Sequence, residues 1–223
     1  MTAEKKVRCC SLGASTSCLG KGMEESILAL RGFEVTELGA NHHYEGGAVE
    51  TVERLRERYD LALLLHGCFP PLRKWFILNP ASQDEETLAE TRRLILAMID
   101  LVRRWEVPLI SLHPGFTAYP TRPRKDPGTP DIPYAVALRT AQESFHPFLG
   151  YAQGDVEIIA ENLPFEPATM MRSPQEIAAF VEGLGIGLLL DVGHFHVSAY
   201  QIGFDFAGGV KAVAKRERIL RYR

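Results

Sequence analysis

Short apolar runs alternate along the chain with longer amphipathic segments, which is typical of repeated β–α units. Apolar runs bounded by glycine, proline or polar residues predict buried strands, and apolar residues three or four apart predict helices. On these patterns we predict strands at 7–12, 33–38, 61–65, 108–112, 156–160 and 188–190. Helices are predicted between the strands. This order favours a single α/β domain over residues 1–223, built on a parallel sheet.

Two of the predicted helices begin with a capping-box pattern, a serine followed three residues later by glutamate. Ser82 and Glu85 form the first box, and Ser173 and Glu176 form the second. In such a box each side chain bonds a free backbone N–H group of the other residue. We therefore predict helix starts at both places.

The sixth predicted strand leads into the most informative stretch of the chain. Three consecutive leucines, 188–190, are followed by Asp191, His194 and His196. A continuous apolar run of this kind is typical of a parallel strand buried on both faces. Because side chains alternate along a strand, Asp191 and His194 converge only if the chain turns, and Gly193 allows such a turn.

Four consecutive predicted strands end in side chains that commonly bind metals. The third to sixth strands end at His66, His113, Glu161 and the Asp191/His194 pair. Right-handed β–α–β crossovers place the ends of parallel strands on one rim, where α/β proteins have their sites. We therefore expect a site at this rim.

Composition indicates which partners and which cellular compartment to expect. The chain of 223 residues has a formal net charge of −3, so it has no overall basic field that would attract nucleic acid, although a local patch is left open. Its four cysteines show no CxxC pair, which favours reduced thiols in the cytoplasm. No apolar run approaches the roughly 18 residues needed to span a bilayer, so we expect no membrane partner.

The strand-end motifs together resemble the xylose isomerase-like TIM barrel superfamily, which includes sugar isomerases and epimerases and the endonuclease IV family. The resemblance rests on five pieces in the family's order: Leu-Leu-His66, Asn79-Pro-Ala-Ser, Leu-His113-Pro-Gly, Ala-Glu161-Asn and Leu-Asp191-Val-Gly-His194. It implies a TIM-type (β/α) barrel.

The resemblance also implies a set of metal ligands. Glu161 and Asp191 would be carboxylate ligands of a divalent metal, and His66 and His113 would join Glu161 in one site. His194 would bind a further metal or the substrate. Carboxylates combined with imidazoles suit Zn, Mn, Co or Mg, and the mixture does not choose among them.

The end of the sequence departs from the family pattern. Family members usually continue through a seventh strand bearing histidine and an eighth bearing glutamate. Here residues 215–220 read as the approach to strand seven, after which the sequence stops at Arg223. We therefore expect a barrel truncated after about six βα units. Either the sequence is a truncated piece or reading frame, or the sheet stays open or is completed by another subunit of a homo-oligomer.

The leading function implied by the resemblance is isomerisation or epimerisation of a small sugar or sugar phosphate in carbohydrate metabolism. Glu161 would be both a metal ligand and the candidate base, with His194 as the second catalytic residue. One alternative is endonuclease IV-like cleavage at abasic DNA, which the His66/His113 pair favours. A second alternative is an inactive metal-binding scaffold.

Structural roles remain open for the same residues. Glu161 and Asp191 could cap a turn or pair with an arginine, and a histidine at a strand end could bind a loop carbonyl. We interpret His196 as structural and Cys68 as a packed thiol. His42 and His43 are interpreted as solvated. The candidate contacts with a sugar ring are Trp75, Phe116 and Tyr119. The candidate contacts with a phosphate are Arg73, Lys74, Arg122, Arg124 and Lys125.

Overall fold

The computed structural model describes residues 12–39, 46–73, 76–118, 131–214 and 217–221. The chain forms two compact units, Met1–Trp75 and Phe76–Arg223, which are described separately.

The first unit is a parallel sheet with helices between its strands. Strand β2 lies between β1 and β3, with Thr36 opposite Ala14 on one side and Leu63 on the other. The apolar faces of both helices are buried, as their spacing predicts. Its elements are β1 (Gly13–Ser15), a 3₁₀ turn (Thr16–Cys18), α1 (Met23–Leu30), β2 (Val35–Leu38), α2 (Ala48–Arg58) and β3 (Leu63–His66).

Strand β1 lies just after the segment that was predicted to form the first strand. Residues 7–11 of the predicted strand at 7–12 lie outside the described residues. The small polar residues 13–15 that follow form β1. Its small residues allow a close approach to β2, because a Cβ at Gly13 would lie 2.8 Å from the carbonyl oxygen of Val35. The chain turns only afterwards, in the 3₁₀ turn that the Ser15 side chain caps.

The second unit is a parallel sheet of four strands, each paired with the next strand of the chain. This sequential order is the arrangement found in β/α barrels. Its elements are α3 (Glu85–Arg104), β4 (Leu109–Leu112), α4 (Tyr134–Ala152), β5 (Glu157–Glu161), α5 (Pro174–Leu184), β6 (Gly187–Asp191), α6 (Val192–Ile202), α7 (Phe206–Val213) and β7 (Glu217–Arg221).

Strand β6 is the buried centre of the second unit. All five of its residues are buried, as the run of leucines predicts. On the helical layer, Phe145 lies 5.9 Å from Phe148 and 5.2 Å from Phe180 between ring centroids, and all three rings are buried. This packing between α4 and α5 fixes the helices that flank β5 and so supports the strand ends.

Residues 217–221 form a strand, where the sequence predicts only the approach to one. Strand β7 pairs in parallel with β6 and places Arg221 opposite Asp191. Ile219 and Leu220 lie in this strand, and β-branched and apolar residues suit a parallel ladder. The backbone of Asp191 therefore has β7 as its neighbouring strand on one side.

The two capping boxes have different outcomes. Helix α3 begins one residue after Asp84, whose carboxylate accepts a hydrogen bond from the backbone N–H of Thr87, so the prediction that Ser82 caps this helix is wrong. Aspartate is an equally good cap, and it stands two residues closer to the helix. At α5, Ser173 caps as predicted, accepting from the Glu176 N–H at 3.2 Å. The Glu176 carboxylate, however, accepts from the backbone N–H of Arg172 at 2.8 Å, one residue before the predicted partner.

Removal of the Ser173 hydroxyl is expected to destabilise the chain modestly. The Ser173→Ala variant should lose about 1 kcal/mol, which corresponds to roughly 2–4 °C in the thermal midpoint. The Ser173→Thr variant keeps a capping oxygen and is the matched control in calorimetry. Equal losses in both variants would show that the cap is not the cause.

Candidate metal centre

Adjacent strands deliver the two acidic residues of the site. Glu161 is the last residue of β5 and Asp191 is the last residue of β6. Both side chains are fully buried, at 0% exposure. Buried carboxylates need compensation by cations or hydrogen bonds, so their surroundings decide what they do.

The two oxygens of Glu161 face different imidazoles. Oε2 lies 3.3 Å from Nε2 of His113, and Oε1 lies 3.5 Å from Nδ1 of His194. The imidazoles are more accessible than the acid, with 33% and 17% of their side chains exposed. Glu161 therefore lies between two histidines with one oxygen directed to each.

Asp191 both caps a helix and contributes to the cluster. Its Oδ1 accepts a hydrogen bond from the backbone N–H of His194 at 2.8 Å, which starts α6 directly after the strand. Its Oδ2 lies 3.8 Å from Nδ1 of His194. The turn that brings the two side chains together is the first turn of α6, which contains Gly193, and not a separate turn that depends on the conformational freedom of glycine.

The donor set fits a divalent cation. One ligand atom from each of Glu161, Asp191 and His194 can be chosen so that all three atoms lie within 4.8 Å of one another. Two buried carboxylates at this separation repel each other, and a cation between them would offset that repulsion. Carboxylate and imidazole ligands are those that Zn, Mn and Co accept in proteins. The chemistry of the residues thus agrees with the metal implied by the resemblance.

His113 lies in a loop that is held by Asn79, an asparagine from an earlier part of the chain. The side-chain oxygen of Asn79 accepts from the backbone N–H of Phe116 at 2.8 Å and of Ala81 at 3.2 Å. Its Nδ2 donates to the Phe116 carbonyl at 3.3 Å. The Phe116 ring stands edge-on to the His113 ring, with the centroids 6.5 Å apart. Asn79 therefore fixes the loop that carries His113, a role that the motif alone did not reveal.

His66 ends β3, as predicted, and is buried there. It belongs to the first compact unit, whereas the four residues described above belong to the second. Its role as a ligand stays a prediction from the resemblance.

Some of the residues interpreted as structural, solvated or substrate-contacting lie in the described part of the chain, and others lie outside it. His196 is exposed on α6 and contacts the Phe206 ring edge-on at 5.5 Å, in agreement with a structural role. Cys68 is half-buried. Of the candidate substrate contacts, Arg73 is exposed and Phe116 is half-buried beside His113. The remaining named residues lie outside the described part of the chain: His42, His43, Lys74, Trp75, Tyr119, Arg122, Arg124 and Lys125.

These observations define the class of protein: a parallel β/α protein whose neighbouring strand ends carry carboxylates and imidazoles in metal-ligand geometry. The chain belongs to the xylose isomerase-like TIM barrel family, whose family model matches residues 27–220. The resemblance inferred from the sequence and the TIM-type barrel fold are thus confirmed.

Solved structures with this fold include sugar epimerases and a nuclease. A D-tagatose 3-epimerase-like protein is 18% identical, with a TM-score of 0.71 over 96% of this chain and 75% of that chain. D-psicose 3-epimerase in the presence of D-fructose is 14% identical, with a TM-score of 0.72 over 96% and 73%. Endonuclease IV from Thermus thermophilus is 15% identical, with a TM-score of 0.58 over 94% and 74%. At these identities the likeness shows the fold alone.

Comparison with curated proteins gives no match. Within the described residues, every helix is too short or too polar to cross a bilayer.

Proposed function

We propose that the chain is a divalent-metal-dependent isomerase or epimerase that acts on a small sugar or sugar phosphate. The observation that carries the proposal is the placement of Glu161, which is fully buried at a strand end with one oxygen directed to each of two imidazoles and Asp191 beside it. The epimerase neighbours with the same fold support the choice of substrate class.

Glu161, Asp191 and His194 would have different roles in the reaction. When bound, the cation would hold the carbonyl and adjacent hydroxyl of the sugar and acidify the neighbouring C–H bond. We assign to Glu161 the roles of ligand and base, because its two oxygens face different groups and a carboxylate that helps to hold a cation could also accept the substrate proton. Asp191 serves as the second anionic ligand. His194 is partly exposed and can reach a substrate oxygen.

The test is turnover of a panel of ketoses and their phosphates in D₂O, with Mn²⁺ or Co²⁺ and with chelator. Proton transfer at a carbon next to the carbonyl exchanges that hydrogen with solvent, so each product molecule should carry one deuterium at the inverted or isomerised carbon. Chelator should abolish the reaction. Absence of turnover with every substrate, although metal is bound, would contradict the proposal and favour the scaffold alternative.

A second candidate is endonuclease IV-like cleavage of abasic DNA. The observation that favours it is that His113 lies beside Oε2 of Glu161 whereas His194 lies beside Oε1, so that each carboxylate oxygen has its own imidazole, as a site for two cations requires. The endonuclease IV neighbour supports it, and the net charge of −3 opposes it. Nicking of an abasic duplex, without turnover of any ketose, would establish this candidate in place of the first.

A further inference from the structure

Asn162 follows Glu161 directly and is fully buried. In the register of β5 and β6, Glu161 lies opposite Leu189, so β6 extends two residues beyond the last pair, to Asp191. Where a strand extends beyond its neighbour, its buried backbone N–H and C=O groups on that side must bond to other partners. The backbone N–H and C=O groups of Asp191 are in this position.

The carboxamide of Asn162 supplies both partners. Its Oδ1 accepts a hydrogen bond from the Asp191 N–H at 2.7 Å, and its Nδ2 donates to the Asp191 carbonyl at 3.0 Å. A carboxamide carries the same donor and acceptor as a peptide group, so this side chain acts as one further rung of the ladder. With β7 on the opposite side, the backbone of Asp191 is held from both directions.

The backbone of Asn162 acts on a second member of the cluster. Its carbonyl oxygen lies 3.0 Å from Nδ1 of His194. Because a carbonyl only accepts, Nδ1 donates in this contact, which orients the imidazole ring in the metal-free protein. One residue therefore fixes the position of a site carboxylate and the orientation of a site imidazole.

We infer that Asn162 is a positioning residue of the metal centre, which holds Asp191 in ligand geometry and orients the His194 ring before a cation binds. The inference rests on the proposed function, since it concerns the same cation site. Asn162 acts through these two residues.

The test compares Asn162→Ala and Asn162→Leu with the wild-type chain. Both variants remove the two side-chain hydrogen bonds, and leucine keeps most of the volume, so loss of packing and loss of hydrogen bonds are separated. Titration with Mn²⁺ or Zn²⁺ alone should show affinity lowered roughly 10–100-fold in both, the usual effect of removing a group that orients a ligand. Val181→Ala, a buried truncation on α5, is the control for general destabilisation and should bind with wild-type affinity.

Amide hydrogen exchange of the metal-free protein provides a readout independent of the cation. The Asp191 N–H should exchange at least about tenfold faster in both Asn162 variants than in Val181→Ala, once global stability is taken into account. Unchanged exchange and unchanged metal affinity would overturn the inference. If the wild type itself binds no cation while Asp191 exchange rises in the variants, the proposed function fails and the hydrogen-bond role of Asn162 stands.

Discussion

The Glu161→Gln variant is expected to lose the cation from an otherwise folded protein. The carboxylate is fully buried and has an imidazole facing each oxygen, so its charge is central to the donor set. The amide keeps the size of the side chain but carries no charge and presents an NH₂ group to one side of the cluster. Because substitutions that only orient a ligand cost roughly 10–100-fold in affinity, loss of this ligand should cost more than about 100-fold.

Metal analysis after dialysis, together with titration of the metal-free protein, measures this effect. Glu157→Gln is the matched control, because it makes the same change at the exposed beginning of the same strand. The control should retain wild-type metal content and affinity. Stoichiometric metal in Glu161→Gln would remove Glu161 from the site and with it the proposed mechanism.

The Gly115→Ala variant is expected to be strongly destabilised. Gly115 has φ = +116°, a backbone conformation that residues with a Cβ rarely adopt. A Cβ would lie 2.7 Å from Oδ1 of Asn79 and 2.8 Å from the backbone nitrogen of Ala81. The asparagine that holds the His113 loop would have to move. We expect a loss of about 2–4 kcal/mol, or roughly 5–15 °C in the thermal midpoint.

Gly150→Ala is the opposite case and serves as the control. Gly150 lies inside α4, and a Cβ there would meet no atom within 4 Å. Alanine is favoured over glycine in a helix by roughly 0.5–1 kcal/mol, so this variant should melt slightly higher than the wild type. If the two variants melted alike in calorimetry, the strain argued for the loop at Gly115 would be refuted.

The site residues that directly follow buried strands could be predicted from the sequence. Leucines 188–190 and the apolar residues before Glu161 identify buried parallel strands, and the residues that follow such strands share a rim. This reasoning brings Glu161, Asp191, His194 and His113 together, as the structure has them.

Contacts between distant residues could not be read from the sequence. Asn79 and Asn162 bond backbone groups 37 and 29 positions away, and no local period marks an asparagine that does so. Both asparagines stand in the motifs on which the resemblance rests, so the motif pointed to them without revealing their roles.

The sequence also did not show which of two neighbouring residues caps a helix or makes a turn. Ser82 and Asp84 are both good helix caps, and only the course of the chain selects Asp84. Likewise a turn after Asp191 was predictable, but whether a glycine or a new helix makes it depends on the hydrogen bond from His194 to Asp191.

The metal centre is tested most directly by anomalous diffraction from crystals of the full chain loaded with Zn²⁺ or Mn²⁺. We expect a peak about 2.0–2.2 Å from carboxylate oxygens of both Glu161 and Asp191, with an imidazole nitrogen from His194 or His113 completing the site. A cation bound elsewhere, or these strand-end side chains directed apart around an empty centre, would contradict this expectation.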